Sequence, residues 1–184
     1  MNNKIKQLDE KYQLRLLTKQ HIQTLYNWNV KEKHFEHYTC RPLKLSQSFE
    51  EYAFKTLKSL SERKEKIYVL VKKGNCNIPL GKITLFDLNP RNHSAEFGYY
   101  LPNNNRLQGL GSIMLARFIQ TAFNDNELNL NKVYATTSSN NLPSIKLLEK
   151  FGFKLDGRLR EHYWINENKY DQLIYSMLKY EWTK

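Results

Sequence analysis

The chain has 184 residues, with 29 Lys and Arg against 18 Asp and Glu, a formal net charge of +11, and 40% hydrophobic and 13% aromatic content. That length and apolar content specify one globular domain, 1–184, with its own core, and argue against disorder. Cys40 and Cys76 stand outside any Cys-x-x-Cys or His-x-x-x-His spacing, so neither a zinc site nor a disulfide framework is expected, and a reducing cytoplasm is the default location.

Met1 to Lys11 is charged, with no apolar stretch, and the longest aliphatic-aromatic run, Ile67 to Val71, is too short to cross a bilayer. Neither export nor membrane insertion is expected. Leu14 and Leu16 alternate around Arg15 as a first strand, and Thr18 is placed to cap a helix with Ile22, Leu25, Tyr26 and Trp28 on one side. Ser48 with Glu51 reads as a capping box, opening a second amphipathic helix through Phe49, Tyr52, Ala53, Leu57 and Leu60. Ile67–Val71, Leu80–Leu88 and Ser94–Leu101 read as an antiparallel meander, turned at Gly74-Asn75 and at Asn89–Asn92. A helix from Leu110 to Phe123, a strand Lys132–Thr137, a short helix Leu142–Lys150 and two strands complete the chain. The expected architecture is α/β (α+β), a mixed sheet with helices on both faces.

The informative segment is Glu96 to Ile113, where a strand breaks at Pro102 and Asn103 and enters a helix through Arg106, Gly109 and Gly111. A turn of this kind leaves backbone N–H groups unpaired, and glycine lets a phosphate approach them without a Cβ in the way. Gly-x-Gly-x-x-Gly with its downstream acid is absent, and so is Gly-Lys-Ser/Thr, which argues against a dinucleotide fold and a P-loop. An ordinary glycine-containing loop before a helix is the bland alternative.

Arg106-x-x-Gly109-x-Gly111 after an aromatic strand resembles the GCN5-related N-acetyltransferases. Asn141-Leu-Pro-Ser144, then Lys150-Phe-Gly-Phe153 and Gly157-Arg-Leu-Arg-Glu161, follow in the order of the branch that acetylates ribosomal-protein N-termini. The resemblance runs from about Glu96 to Leu178. It implies the family's fold, with about seven strands, and a strand that splays from its neighbour at the acetyl-CoA site.

The resemblance also assigns roles. The backbones of Tyr99, Tyr100 and Leu101 would hold the thioester oxygen and pantetheine amides. The N–H groups of Leu107, Gln108, Gly109, Leu110, Gly111 and Ser112 would take the diphosphate, with Arg106 adding charge. Glu96 is the candidate base, Glu161 its alternate, and Ser144 the candidate acid toward the thiolate, with Asn141 capping its helix and contacting pantetheine. Many relatives carry a tyrosine where Leu148 stands here. By the resemblance Trp28, Tyr38, Arg41 and Tyr163 are candidates for the acceptor pocket, although aromatic core packing is the simpler account of the rings. The five histidines show no metal spacing, and no metal cofactor is expected.

The expected activity is direct acetyl transfer from acetyl-CoA to a primary amine, with a protein N-terminal α-amine preferred. A polyamine, an aminoglycoside or an amino-sugar nucleotide is the alternative acceptor. No cysteine sits where a nucleophile would be needed, which weighs against a covalent intermediate. Non-enzymatic rivals are an acyl-CoA sensor and a basic ribosome- or RNA-associated module. The basic residues are dispersed among acidic neighbours, as on solvated helix faces, and no nucleic-acid motif accompanies them. The oligomeric state stays open, a homodimer among the options.

Overall fold

The computed structural model describes residues 10–31 and 48–182. Seven strands form one sheet in the order β1-β2-β3-β4-β5-β7-β6. They are β1 Tyr12–Leu16, β2 Lys66–Lys72, β3 Asn75–Asn89, β4 Ser94–Tyr100, β5 Lys132–Ser138, β6 Lys154–Ile165 and β7 Asn168–Leu178. Helices α1 Lys19–Lys31, α2 Phe49–Ser61, α3 Leu110–Phe123, α4 Leu142–Lys150 and the short α5 Lys179–Trp182 connect or end them. All neighbouring strands pair antiparallel except β4 and β5, which run parallel with α3 as the crossover.

Strand alternation builds two apolar layers. Tyr68 and Leu70 of β2, Ile83 and Leu85 of β3, and Ala95 and Phe97 of β4 meet Ile113, Met114 and Phe118 of α3 and Leu148 of α4. Ile67, Val69 and Val71 point the other way, against Leu25 and Trp28 of α1 and Tyr52 and Leu60 of α2. α3 is buried along most of its length, as its apolar spacing requires.

Local chemistry fixes the helix starts. Ser48 Oγ accepts from the Glu51 N–H at 3.2 Å, one half of a capping box, while the Glu51 carboxylate pairs with Lys55. At α1 the Thr18 N–H donates to Nδ1 of His21 at 3.1 Å, so the imidazole performs the task a glutamate performs in such a box. With Nδ1 accepting, Nε2 carries the proton and donates to the Cys76 carbonyl at 2.8 Å, tying α1 to β3.

β3 begins earlier than the sequence indicates, at Asn75 rather than Leu80. Pro79 is tolerated because the β2–β3 register shifts on either side of Val71, the residue opposite it.

Candidate active site

β4 and β5 share only three register pairs, Ser94–Lys132, Ala95–Val133 and Glu96–Tyr134. Past Glu96, β4 runs on to Tyr100 beside β3, and β5 runs on to Ser138 beside β7. The sheet therefore opens along its middle. On the side turned to this opening, every second backbone N–H and C=O of β4 lacks a strand to pair with.

Glu96 stands at the fork. It is 6% exposed, and its Oε1 accepts a hydrogen bond from Thr136 Oγ1 at 2.8 Å. The next side chains on its face are Gly98 and Tyr100, whose ring lies 5.8 Å from that of Trp28. On the opposite face, Tyr99 reaches α4, where its phenol oxygen lies 2.6 Å from Ser144 Oγ. Burial pushes the Tyr99 phenol up to about 12, with the Ser144 hydrogen bond pulling it back slightly. Tyr99 is therefore a neutral phenol at physiological pH. Asn141 Oδ1 accepts from the Ser144 N–H at 3.3 Å, which fixes the first turn of α4 beside the opening.

The glycine-bearing loop closes the mouth of the opening. Asn103–Asn105 forms a 3-10 turn, and the Arg106 Nε donates to the Leu101 carbonyl at 2.9 Å, stitching the loop to the strand end. Leu107 has φ +59 and Gly109 has φ +80, a left-handed N-cap from which α3 starts at Leu110. The N–H groups of Ser112 and Ile113 donate back to the Gly109 carbonyl. Among the described residues none accepts from the N–H groups of Leu107 to Gly111, which form the concave set at a helix N-terminus that binds anions. Lys150 Nζ donates to Ser112 Oγ at 3.0 Å and adds a cation to the same place. Gly111 has a second role: a Cβ there would stand 3.3 Å from Leu101 Cδ1 and 3.5 Å from Leu147 Cδ2, in the packing of strand end against helix.

Glu161 and Tyr163 lie on β6. Glu161 has φ +51 in an irregular stretch of β6; its N–H donates to Asp171 Oδ1 and its side chain, 63% exposed, pairs with Lys169 Nζ at 2.8 Å. Tyr163 is buried on β6 opposite Tyr170, three strands from β4. Tyr38 and Arg41 lie outside the described residues. Among the described residues no group of three or more His, Cys, Asp or Glu is arranged to hold a metal ion, and no helix is long and apolar enough to cross a membrane.

The profile of the acetyltransferase (GNAT) domain matches residues 12–154, more than three quarters of the chain. The chain belongs to the GNAT acetyltransferase family. Among relatives, a putative ribosomal N-acetyltransferase, YdaF of Bacillus subtilis, is 32% identical over 102 residues, 55% of each chain. The spermidine N(1)-acetyltransferase of Vibrio cholerae is 25% identical over 153 residues, 83% of this chain and 84% of that one. The chain spans about half the length of the first curated relatives it matches. Among solved structures, the Vibrio cholerae spermidine N-acetyltransferase in complex with CoA and spermine superposes with TM-score 0.84 at 22% identity, over 95% of this chain and 99% of that one.

Within this GNAT fold, two side chains stand at the opening that sequence reasoning did not assign. Tyr99 was expected to act through its backbone alone, yet its phenol meets Ser144. Leu148 is fully buried in the core, and the hydroxyl beside Ser144 comes from Tyr99 on the strand. Lys150 was read only as the end of a helix. Neither contact carries a local signal, because each joins residues about forty positions apart.

Proposed function

We propose that this chain is an acetyl-CoA-dependent N-acetyltransferase that acetylates a protein N-terminal α-amine. The observation that carries it is the opening between β4 and β5, with a cradle of N–H groups at its mouth and a buried carboxylate at its fork. Family membership and the resemblance to a putative ribosomal N-acetyltransferase support the reading. The residues fit the coenzyme: the left-handed Gly109 and the outward N–H groups suit a diphosphate, with Arg106 and Lys150 beside them.

Bound acetyl-CoA supplies a thioester whose acetyl carbon accepts the amine lone pair, the C–N bond forming as the C–S bond breaks. Backbone N–H groups of β4 near Tyr99, Tyr100 and Leu101 stabilise the oxygen as charge develops on it. Glu96 takes the amine proton, and Thr136 fixes the orientation of its carboxylate. With Tyr99 as the donor in its hydrogen bond to Ser144 Oγ, the serine O–H would be free to turn toward the departing sulfur. A phenol near 12 is a weak acid toward a thiolate near 8.5, a gap worth about 5 kcal/mol. Ser144 therefore serves as a hydrogen-bond donor to sulfur, and full protonation comes from the amine proton or solvent.

Charge supports this acceptor class. An α-amine near 7.8 loses less than about 1 kcal/mol to become neutral at pH 7.4, whereas a lysine-like amine near 10.4 loses about 4. Among the described residues Glu96 is the one buried carboxylate, and on a chain of net charge +11 that suits the first better than a polycation. Similarity to a spermidine acetyltransferase over most of the chain supports a small-amine acceptor as the second reading. A thiol-release screen with N-terminal peptides, polyamines and aminoglycosides side by side separates them. Turnover confined to polyamines would replace the first reading with the second, and coenzyme binding with no turnover on any amine would make the protein a sensor.

A further inference from the structure

On the sheet face that carries Glu96, register aligns three pairs between β4 and β3: Glu96 with Phe86, Gly98 with Thr84, and Tyr100 with Lys82. The last pair lies four residue steps along the strand from the first, about 13 Å. The span between them is aromatic. Phe86 lies over Gly98, its Cε1 3.4 Å from where a Cβ would stand, and Tyr100 meets Trp28.

Lys82 occupies the far end of this span. It is half-buried, sits opposite Val69 of the α1–α2 core layer, and among the described residues its ammonium makes neither a hydrogen bond nor an ion pair. Desolvation holds its ammonium below the ordinary lysine range, against the opposing pull of Glu65. Among the described residues Glu65 pulls on this ammonium without forming an ion pair, so a ligand that brings an anion into contact stabilises the partly desolvated cation further.

We infer that Lys82 reads a carboxylate on the acceptor, roughly 10–13 Å from the amine held at Glu96, the reach from an α-amine to an acidic side chain on the third residue of an extended peptide. The assignment rests on the N-terminal acceptor reading and sharpens it. Glu96 and Lys82 give the acceptor track a negative end and a positive end, so a peptide with the complementary polarity fits. A linear polyamine of the same span sets a second ammonium against Lys82 and is disfavoured.

The test uses N-terminal peptides identical except for Glu, Gln or Lys at the third position, assayed by thiol release with the wild type, Lys82→Met, Lys82→Arg and Lys82→Glu. In the wild type KM rises from Glu to Gln by about tenfold and is highest for Lys. Lys82→Met removes the Glu/Gln difference while kcat on the Gln peptide holds, Lys82→Arg keeps the preference, and Lys82→Glu inverts it. A wild type indifferent to the third residue, or a preference that survives in Lys82→Met, overturns the assignment. If only small amines turn over, the N-terminal reading fails. The Lys82 assignment, which requires a carboxylate on the acceptor, is then overturned with it.

Discussion

The phenol of Tyr99 and the hydroxyl of Ser144 lie 2.6 Å apart, joining β4 to the first turn of α4. If the pair acts as one donor toward sulfur, its two members are not independent. Ser144→Ala is expected to lower kcat about tenfold with little change in acetyl-CoA affinity, and Tyr99→Phe to lower it by a smaller factor. The double variant should be no slower than Ser144→Ala, because Tyr99 acts through the serine. Steady-state rates at saturating coenzyme measure this; additive losses would mean that the two side chains act separately.

The loop predictions concern binding alone. Gly109→Trp forces a bulky L-residue into a left-handed N-cap and fills the concave face, so acetyl-CoA binding should be lost by calorimetry. Gly111→Val should weaken binding less and cost stability as well, because Leu101 and Leu147 must shift. Wild-type affinity in the tryptophan variant would refute the cradle.

Glu96→Gln keeps an acceptor for the Thr136 hydroxyl but removes the base. On an α-amine acceptor, kcat/KM at pH 7 should fall by about 10²-fold, and the loss should shrink at higher pH as the free amine deprotonates unaided. Glu161→Gln should leave the rate near wild type, since its carboxylate serves an exposed ion pair with Lys169. The reverse outcome in rate profiles would exchange the two carboxylates.

Away from the site, Lys66 Nζ bonds Asp125 Oδ2 at 2.8 Å, and Asp125 Oδ1 accepts from the N–H groups of Glu127 and Leu128. Burial would raise this carboxyl, but the Lys66 ammonium and the two N–H groups outweigh it and hold it below the usual range. A carboxyl depressed in the fold stabilises the protein above its unfolded value near 3.9, and that stability is lost as pH falls through the folded value. Asp125→Asn should therefore cost about 1 kcal/mol at pH 7, a fall of roughly 2–4 °C in Tm, and progressively less below pH 4. Thermal melts across pH measure the convergence.

The legible parts of the chain were those coded locally. α3 spans Leu110–Phe123 and α4 spans Leu142–Lys150, as read from apolar spacing, the left-handed Gly109 and the Asn141 cap. The start of β3 was hidden because Pro79 looks like a breaker, and only the shifted partner strand makes room for it. A Cβ at Gly81 would lie 2.5 Å from Leu101 Cδ2 and 3.1 Å from the Tyr100 carbonyl oxygen, so Leu101, 20 positions away in sequence, would have to shift. Glu96 was legible as an acid on a strand, but its burial and its bond to Thr136 depend on the parallel crossover, which no local pattern encodes. The same holds for Lys82, which reads as one more surface lysine until the register sets it beside Tyr100.

Only three rungs of main-chain pairing tie β1–β4 to β5–β7. A coenzyme lodged between the diverging strands replaces the missing rungs and becomes a structural member as well as a reagent. Resistance to heat and to proteolytic nicking should then rise with the logarithm of coenzyme concentration once it exceeds Kd, so the lifetime of the folded protein is coupled to the supply of its own substrate.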